Sequence, residues 1–176
     1  MASKIQPVAL GLLIADHRKV DQLFKQYEDE KEAEDEGRRA TAEQVCGELT
    51  VHAQVEEEIF YPWLRKNLDE EDMEMVAEAA VEHQTAKDLI AQIQDAAKVD
   101  EEYDAKVKVL SEYIKHHVKE EEEEIFPKVR VMKEELDELG QEMVARKVEL
   151  MDELGLSEEA SPPPKGKKGV SQSKST

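Results

Sequence analysis

The chain is poor in the residues that break helices or tie a fold together. Only seven of its 176 residues are glycine and six are proline, and three of those prolines, Pro162, Pro163 and Pro164, sit together near the C-terminus. With only Pro7, Pro62 and Pro127 elsewhere, long helices are allowed and turn-rich strand folds are disfavoured. A single cysteine, Cys46, excludes an intrachain disulfide; it reads as a small buried residue, not a catalytic thiol, and suits a reducing cytoplasm. No apolar run approaches the roughly 20 residues of a membrane span. The opening MASKIQPVALGLLIADH has one lysine, a short apolar run and no small-residue cleavage site, so Val8 to Ile14 read as helix core and not as a signal peptide.

Positive charge is also scarce. Lys and Arg number 24 against 43 Asp and Glu, a formal net charge of −19. Lys165, Lys167, Lys168 and Lys174 outnumber Glu158 and Glu159 in the last twenty residues, so the rest of the chain is more acidic than the whole. Such a body repels nucleic acid and anionic membranes, so neither is expected as a partner, and it favours cations. Several active-site patterns are missing too: there is no Glu-x-x-His of the ferritin-like di-iron bundles, no His-Glu-x-x-His, no P-loop and no Gly-x-Ser-x-Gly.

What is present is helical periodicity. Helix A is expected from about Pro7 to Tyr27, with Leu13, Val20, Phe24 and Tyr27 inward, followed by an exposed acidic turn over EDEKEAEDEG. Thr41-Ala-Glu-Gln44 resembles a capping box opening helix B, whose stripe is Val45, Leu49, Ile59 or Phe60, and Trp63. Asp69 and Asp72 are candidate caps for helix C (Val76, Ala79, Ile90, Ile93), and Asp100 for helix D (Tyr103, Val107, Leu110, Ile114, Ile125). A fifth helix, roughly Glu134 to Leu154, carries Leu136, Leu139, Met143, Val148 and Leu150. The expected organisation is an all-α antiparallel up-down four-helix bundle over residues 1–133, a C-terminal helix over 134–156 packed on or extending it, and a disordered Pro/Gly/Ser/Lys tail over 157–176.

The sequence repeats itself. His17 to His52 spans 35 residues and His83 to His117 spans 34, and the first histidine of each pair follows an acid, Asp16 or Glu82. The second opens HAQVEEEIFYP (from His52) or HVKEEEEEIFP (from His117), each with Glu four residues on and Pro ten residues on. Two related helical hairpins, A–B and C–D, follow. On their stripes His17, His52, Glu56, His83, His117 and Glu121 all face one apolar core. A His and a Glu four apart share one helix face, close enough to reach one ion or two adjacent ones. Buried carboxylates must be paired, protonated or metal-bound, and no lysine or arginine stands on the inner stripes at that level. Taken singly, each histidine is more readily an ordinary core residue; six such residues converging from four helices point to metal. Imidazole and carboxylate suit two iron ions, and imidazole also suits zinc or copper.

His116 is turned about 100° from His117 and should face a flank or solvent, though a register slip would make it the ligand instead. Tyr113, four before His117 on the same face, reads first as an ordinary core tyrosine, with a hydrogen-bond donor to the site or a radical-prone neighbour of the metal as the alternatives. Tyr61, nine after His52, points away from the site on a straight helix, and the glutamates of 56–58 and 120–124 other than Glu56 and Glu121 read mostly as a solvated face.

His17, His52-x-x-x-Glu56, His83 and His117-x-x-x-Glu121, with Phe60-Tyr61-Pro62 and Phe126-Pro127, resemble the hemerythrin-like HHE cation-binding domain over roughly residues 8–130. The resemblance implies two non-haem iron ions with an oxo or hydroxo bridge. His17, His52, His83 and His117 would be terminal ligands, and Glu56 and Glu121 would bridge. The oxygen-carrying hemerythrins place a further histidine four residues along the third helix, where this chain has Ala79 and Lys87 on either side of His83. They end with an Asp five after the last histidine, where the stripe here picks Glu121, four after His117. One fewer imidazole argues against simple reversible oxygen carriage and for an open coordination position. The chain is also similar to bacterial single-domain hemerythrin-like proteins, some linked to peroxide breakdown or nitric oxide defence. The expected ligand is therefore a small oxidant (O2, hydrogen peroxide or nitric oxide), with peroxide disproportionation as one reading. A non-catalytic O2- or iron-binding, storage or sensing module is the other. No residue is assigned a catalytic role.

Overall fold

The computed structural model describes residues 6–156, and every regular element among them is helical. Helix α1 (Val8–Asp29) starts behind Pro7, whose fixed φ suits a helix entry, and packs beside α2 (Asp35–Val55). Helix α2 does not stop at Val55. It passes through one π-helical turn, Glu56–Phe60, into α3 (Tyr61–Asn67). A short 3₁₀ turn, Glu70–Asp72, leads to α4 (Met73–Gln94), and α4 packs beside α5 (Glu101–Glu120). Helix α5 repeats the device with a π turn at Glu121–Ile125 before α6 (Phe126–Val129). Helix α7 (Lys133–Glu153) lies along α1 and also touches α2 and the first π turn. Contacts run α1 to α2, α2 to α4, α4 to α5 and α5 back to α1.

The π turns explain how Pro62 and Pro127 sit within long helices. A proline in an α-helix lacks one donor and its ring collides with the carbonyl four residues back. Here the backbone N–H of Tyr61 reaches Glu56 and that of Phe126 reaches Glu121, five residues back, so the helix widens by one residue just before each proline. The two π turns begin at the two repeat glutamates. The register therefore shifts after residue 56: Phe60, Tyr61 and Leu64 are buried, whereas Ile59 and Trp63 are only partly so. This corrects the straight-helix stripe through Trp63.

Other boundaries differ. Helix α2 opens six residues before Thr41, with Asp35 and Glu36 in its first turn, where negative charge suits the helix N-terminus. Thr41 is not a cap; its hydroxyl donates to Glu30 at 2.7 Å. Asp100 does cap α5, accepting from the Tyr103 N–H at 3.0 Å. Asp69 and Asp72 stand at their helix starts without side-chain cap bonds, and Asp72 pairs with Lys128 at 2.9 Å. Val8 is 42% and Val148 63% exposed, so neither belongs to the core stripe. The tail over 157–176 lies outside the described residues.

Two apolar clusters result. One gathers Leu10, Leu13, Val55, Phe60, Leu64, Val76, Ile125 and Phe126 with Leu136, Met143 and Leu150 of α7. The other gathers Val20, Phe24, Val45, Leu49, Ile90, Val107, Leu110 and Ile114. Between them in the chain register of α1, α2, α4 and α5 lies a layer of buried polar groups. Helix α7 approaches α1 at Gly140, where an added Cβ would stand 2.7 Å from the Val8 carbonyl carbon and closer still to the Ala9 nitrogen. Gly140→Ala is expected to lower stability by about 1–3 kcal/mol through overpacking, read as a lower midpoint in urea unfolding.

Candidate metal centre

The polar layer unites all six residues singled out from the sequence. His17, His52, His83, His117, Glu56 and Glu121 are each at most 6% exposed. The Nε2 atoms of His52 and His83 both lie 3.2 Å from Glu56 Oε2. Those of His17 and His117 lie 3.3 and 3.8 Å from Glu121 Oε2. The Nε2 atoms of His83 and His117 face each other at 3.2 Å. The set divides into two groups with donor atoms within 4.8 Å of one another: His17, His52, Glu56 and Glu121, and Glu56, His83 and His117. Glu56 belongs to both.

This arrangement fits metal. Two donors held about 2.1 Å from one ion at tetrahedral or octahedral angles stand roughly 3.0–3.4 Å apart, the spacing seen for most of these pairs. Both oxygens of Glu56, Glu121 Oε2 and the Nε2 atoms of His17 and His52 are buried without a hydrogen bond. They are near one another yet misaligned for direct bonds, as donors aimed at a shared third atom are. Buried polar atoms left this way are costly unless something else satisfies them.

The outer nitrogens are all engaged. Nδ1 of His17 meets Glu122 at 2.9 Å, that of His52 meets Asp16 at 3.4 Å, that of His83 meets Glu57 at 3.0 Å and that of His117 meets Glu82 at 2.7 Å. A carboxylate on Nδ1 fixes the ring and turns Nε2 inward, as in carboxylate–histidine–metal arrangements. These partners follow the repeat: Asp16 and Glu82 precede the first histidine of each pair, and Glu57 and Glu122 follow the inner glutamates. Glu57 and Glu122 are thus not solvated bystanders, contrary to the reading of the glutamate runs. Adjacency to the six residues, in both repeats, was the available clue. The outer carboxylates reach Lys147, Arg18, Lys87 and, at 4.0 Å, His116.

Six carboxylates therefore surround four imidazoles, and at His52 and His117 the field favours the protonated form. Burial would drive protons off His52, but Glu56 and Asp16 outweigh it and hold its pKa well above the ordinary imidazole value. Against the same burial, Glu121 and Glu82 hold His117 up at about 9. Burial pushes the Glu56 carboxyl upward, yet His52 and His83 overcome it and keep it well below the usual range.

Tyr61 is the main correction. Its hydroxyl donates to Glu121 Oε1 at 2.9 Å and lies 3.1 Å from His83 Nε2, so it faces the site. The π turn rotates it there. Burial and then Glu121 hold its pKa well above that of a free phenol. The matched residue after the second π turn is Phe126, stacked 6.1 Å from the His17 ring. Tyr113 is only partly buried and makes no hydrogen bond to the cluster. His116 has a 61% exposed side chain and pairs with Glu120 at 2.9 Å, outside the group. Cys46 is buried, its thiol pushed up to about 12 mainly by burial. Tyr61→Phe leaves Glu121 Oε1 without its donor and is expected to destabilise the metal-free chain by about 1–3 kcal/mol in chemical unfolding.

A cavity of ≈ 20 Å³ adjoins the histidines, walled by Val20, Leu49, Ala53, Ile90, Ile114 and Val118. It has room for roughly one molecule the size of water.

The hemerythrin HHE cation-binding domain model matches residues 8–129. A DNA nickase of Nostoc sp. is 28% identical over 142 residues, covering 80% of this chain and 39% of that protein. The chain thus spans well under half the length of that relative. No solved structure gives a significant match.

Proposed function

Because the chain belongs to the hemerythrin HHE cation-binding family, we propose that it holds two non-haem iron ions among His17, His52, Glu56, His83, His117 and Glu121 and uses them on a small oxidant. The carrying observation is the set of inward Nε2 atoms and unpartnered carboxylate oxygens in two groups sharing Glu56. His17 and His52 would serve one ion and His83 and His117 the other, with Glu56 and Glu121 between them. The ring of helix contacts is read as an antiparallel up-down four-helix bundle, with α7 laid against it.

Bound iron would supply a redox-active Lewis acid for O2, hydrogen peroxide or nitric oxide. The residues of the chain do the rest. The Nδ1 carboxylates orient the imidazoles, the apolar cavity admits only a small molecule, and the Tyr61 hydroxyl can donate a hydrogen bond at Glu121. Peroxide disproportionation needs no outside reductant: one peroxide is oxidised to O2, and a second is reduced to two water molecules. With one imidazole fewer than the oxygen carriers, that reading is preferred to stable O2 carriage.

Oxygen evolution from hydrogen peroxide by the iron-loaded chain, measured with an oxygen electrode, tests the choice. Steady evolution that disappears in His52→Ala supports the enzyme. A stable ligand-bound absorption band without turnover supports a non-catalytic O2- or iron-binding, storage or sensing module instead. The name of the Nostoc relative raises a nucleic-acid reading, but the net charge of −19 opposes DNA binding, and no described helix is long and apolar enough to cross a membrane. The lone buried Cys46 suits a cytoplasmic setting.

A further inference from the structure

Resting on that reading of the site, we propose that Lys147 of α7 is a positioning residue of the metal centre, acting through Asp16 on the His52 imidazole. The fifth helix is then part of the site, although it lies beyond residues 8–129 where the family pattern ends.

The inward face of α7 runs Leu136, Leu139, Gly140, Met143 and Leu150. Four residues after Met143 and three before Leu150, the same face carries Lys147, with a 20% exposed side chain. A lysine there must find a partner, and its Nζ is bonded to Asp16 Oδ1. The other Asp16 oxygen meets His52 Nδ1 at 3.4 Å, and His52 Nε2 meets Glu56 Oε2 at 3.2 Å. An unbroken line of contacts therefore runs from α7 to the shared glutamate.

The other three histidine carboxylates take their cationic or imidazole neighbours from the four long bundle helices: Arg18 for Glu122, Lys87 for Glu57 and His116 for Glu82. Only Asp16 is served from α7. Its contact with histidine is also the longest of the four, the others being 2.7, 2.9 and 3.0 Å. The ammonium shares the carboxylate with the imidazole and fixes where it stands. The neighbouring Arg146 grips Glu58 at 2.6 Å, in the π turn that carries Glu56, and the close approach at Gly140 brings α7 near enough for both contacts. Without the lysine, Asp16 loses the partner of one buried oxygen and no longer sets the His52 ring.

Cobalt(II) binding, followed by the visible ligand-field spectrum, tests this on the whole chain. Lys147→Met and Lys147→Gln are expected to weaken cobalt affinity about tenfold, the lower end for loss of such an outer partner, and to shift the bands. Lys147→Arg should restore both. Asp16→Asn should mimic the loss, and adding Lys147→Met to it should change nothing further, because the lysine acts through that carboxylate. Circular dichroism identifies any variant that fails to fold, and the gentler Gln and Arg changes then decide. Wild-type affinity and spectrum in the Met and Gln variants would overturn the proposal, as would a Lys147→Met effect that persists in full with Asp16→Asn. Failure of the unaltered chain to bind cobalt would overturn the site reading as well, and that result is read on the wild type alone.

Discussion

Loading the purified chain with ferrous iron under anaerobic conditions is expected to raise its melting temperature by roughly 8–16 °C for each ion bound, and a chelator should reverse the rise. A ligand that binds only the folded state at about a thousand times its Kd adds about 4 kcal/mol per site. In a domain of this size each kcal/mol moves the midpoint by about 2–4 °C. The gain is expected to be large because the metal-free chain bears an avoidable burden: Glu56 is fully buried with both oxygens unbonded, and His17 and His52 each point an unpartnered Nε2 at it or at Glu121. Bound metal would satisfy these atoms together. His52→Ala should remove most of the increment. Differential scanning calorimetry with and without metal measures it, and an unchanged midpoint would count against metal in this layer.

The second large effect is on pH, and it has opposite signs for the two forms. His117 is held at about 9 against an ordinary value of 6.5, burial being outweighed by Glu121 and Glu82. A histidine raised in the folded state contributes stability that is complete below its unfolded value and is lost as pH rises through the folded value. The metal-free chain should therefore weaken between about pH 6.5 and 9, by at most roughly 3 kcal/mol for this residue. Metal binding must expel the same proton, so apparent affinity should climb over that window. Unfolding curves at pH 6.5 and 9 for both forms read the contrast. The metal-free midpoint is expected to fall, by no more than roughly 6–12 °C for this residue, while the loaded form changes less. A metal-free midpoint that rises with pH would contradict the proton-holding role of the Glu121–His117–Glu82 group.

Much of this site was legible because helical steps of three and four are rigid arithmetic. Val45, Leu49, His52 and Glu56 had to share a face, as did Val107, Leu110, Ile114, His117 and Glu121, and all nine are buried. The same arithmetic placed His116 outside. It failed where the helix departs from 3.6 residues per turn. Straight-helix arithmetic points Tyr61 away from the site because it does not register the residue added by a π turn, a shared irregularity that the matched prolines after matched glutamates mark. Glu57 and Glu122 were lost in glutamate runs, where one carboxylate looks like the next until a histidine Nδ1 selects it. Lys147 is masked in the sequence because its neighbour Val148 completes an apolar stripe at helical spacing. Burial in the structure follows Met143 and Leu150, with the lysine between them. The Thr41 capping pattern was a coincidence inside a helix whose start at Asp35 is favoured by charge and not by a side-chain cap.

Iron bound per chain, counted by mass spectrometry after anaerobic loading and desalting, reaches the central claim most directly. The wild type should retain two ions, and Glu56→Gln combined with Glu121→Gln should retain fewer than one while staying helical by circular dichroism. A folded wild type that keeps no transition metal, or a doubly substituted chain that still keeps two, would contradict it.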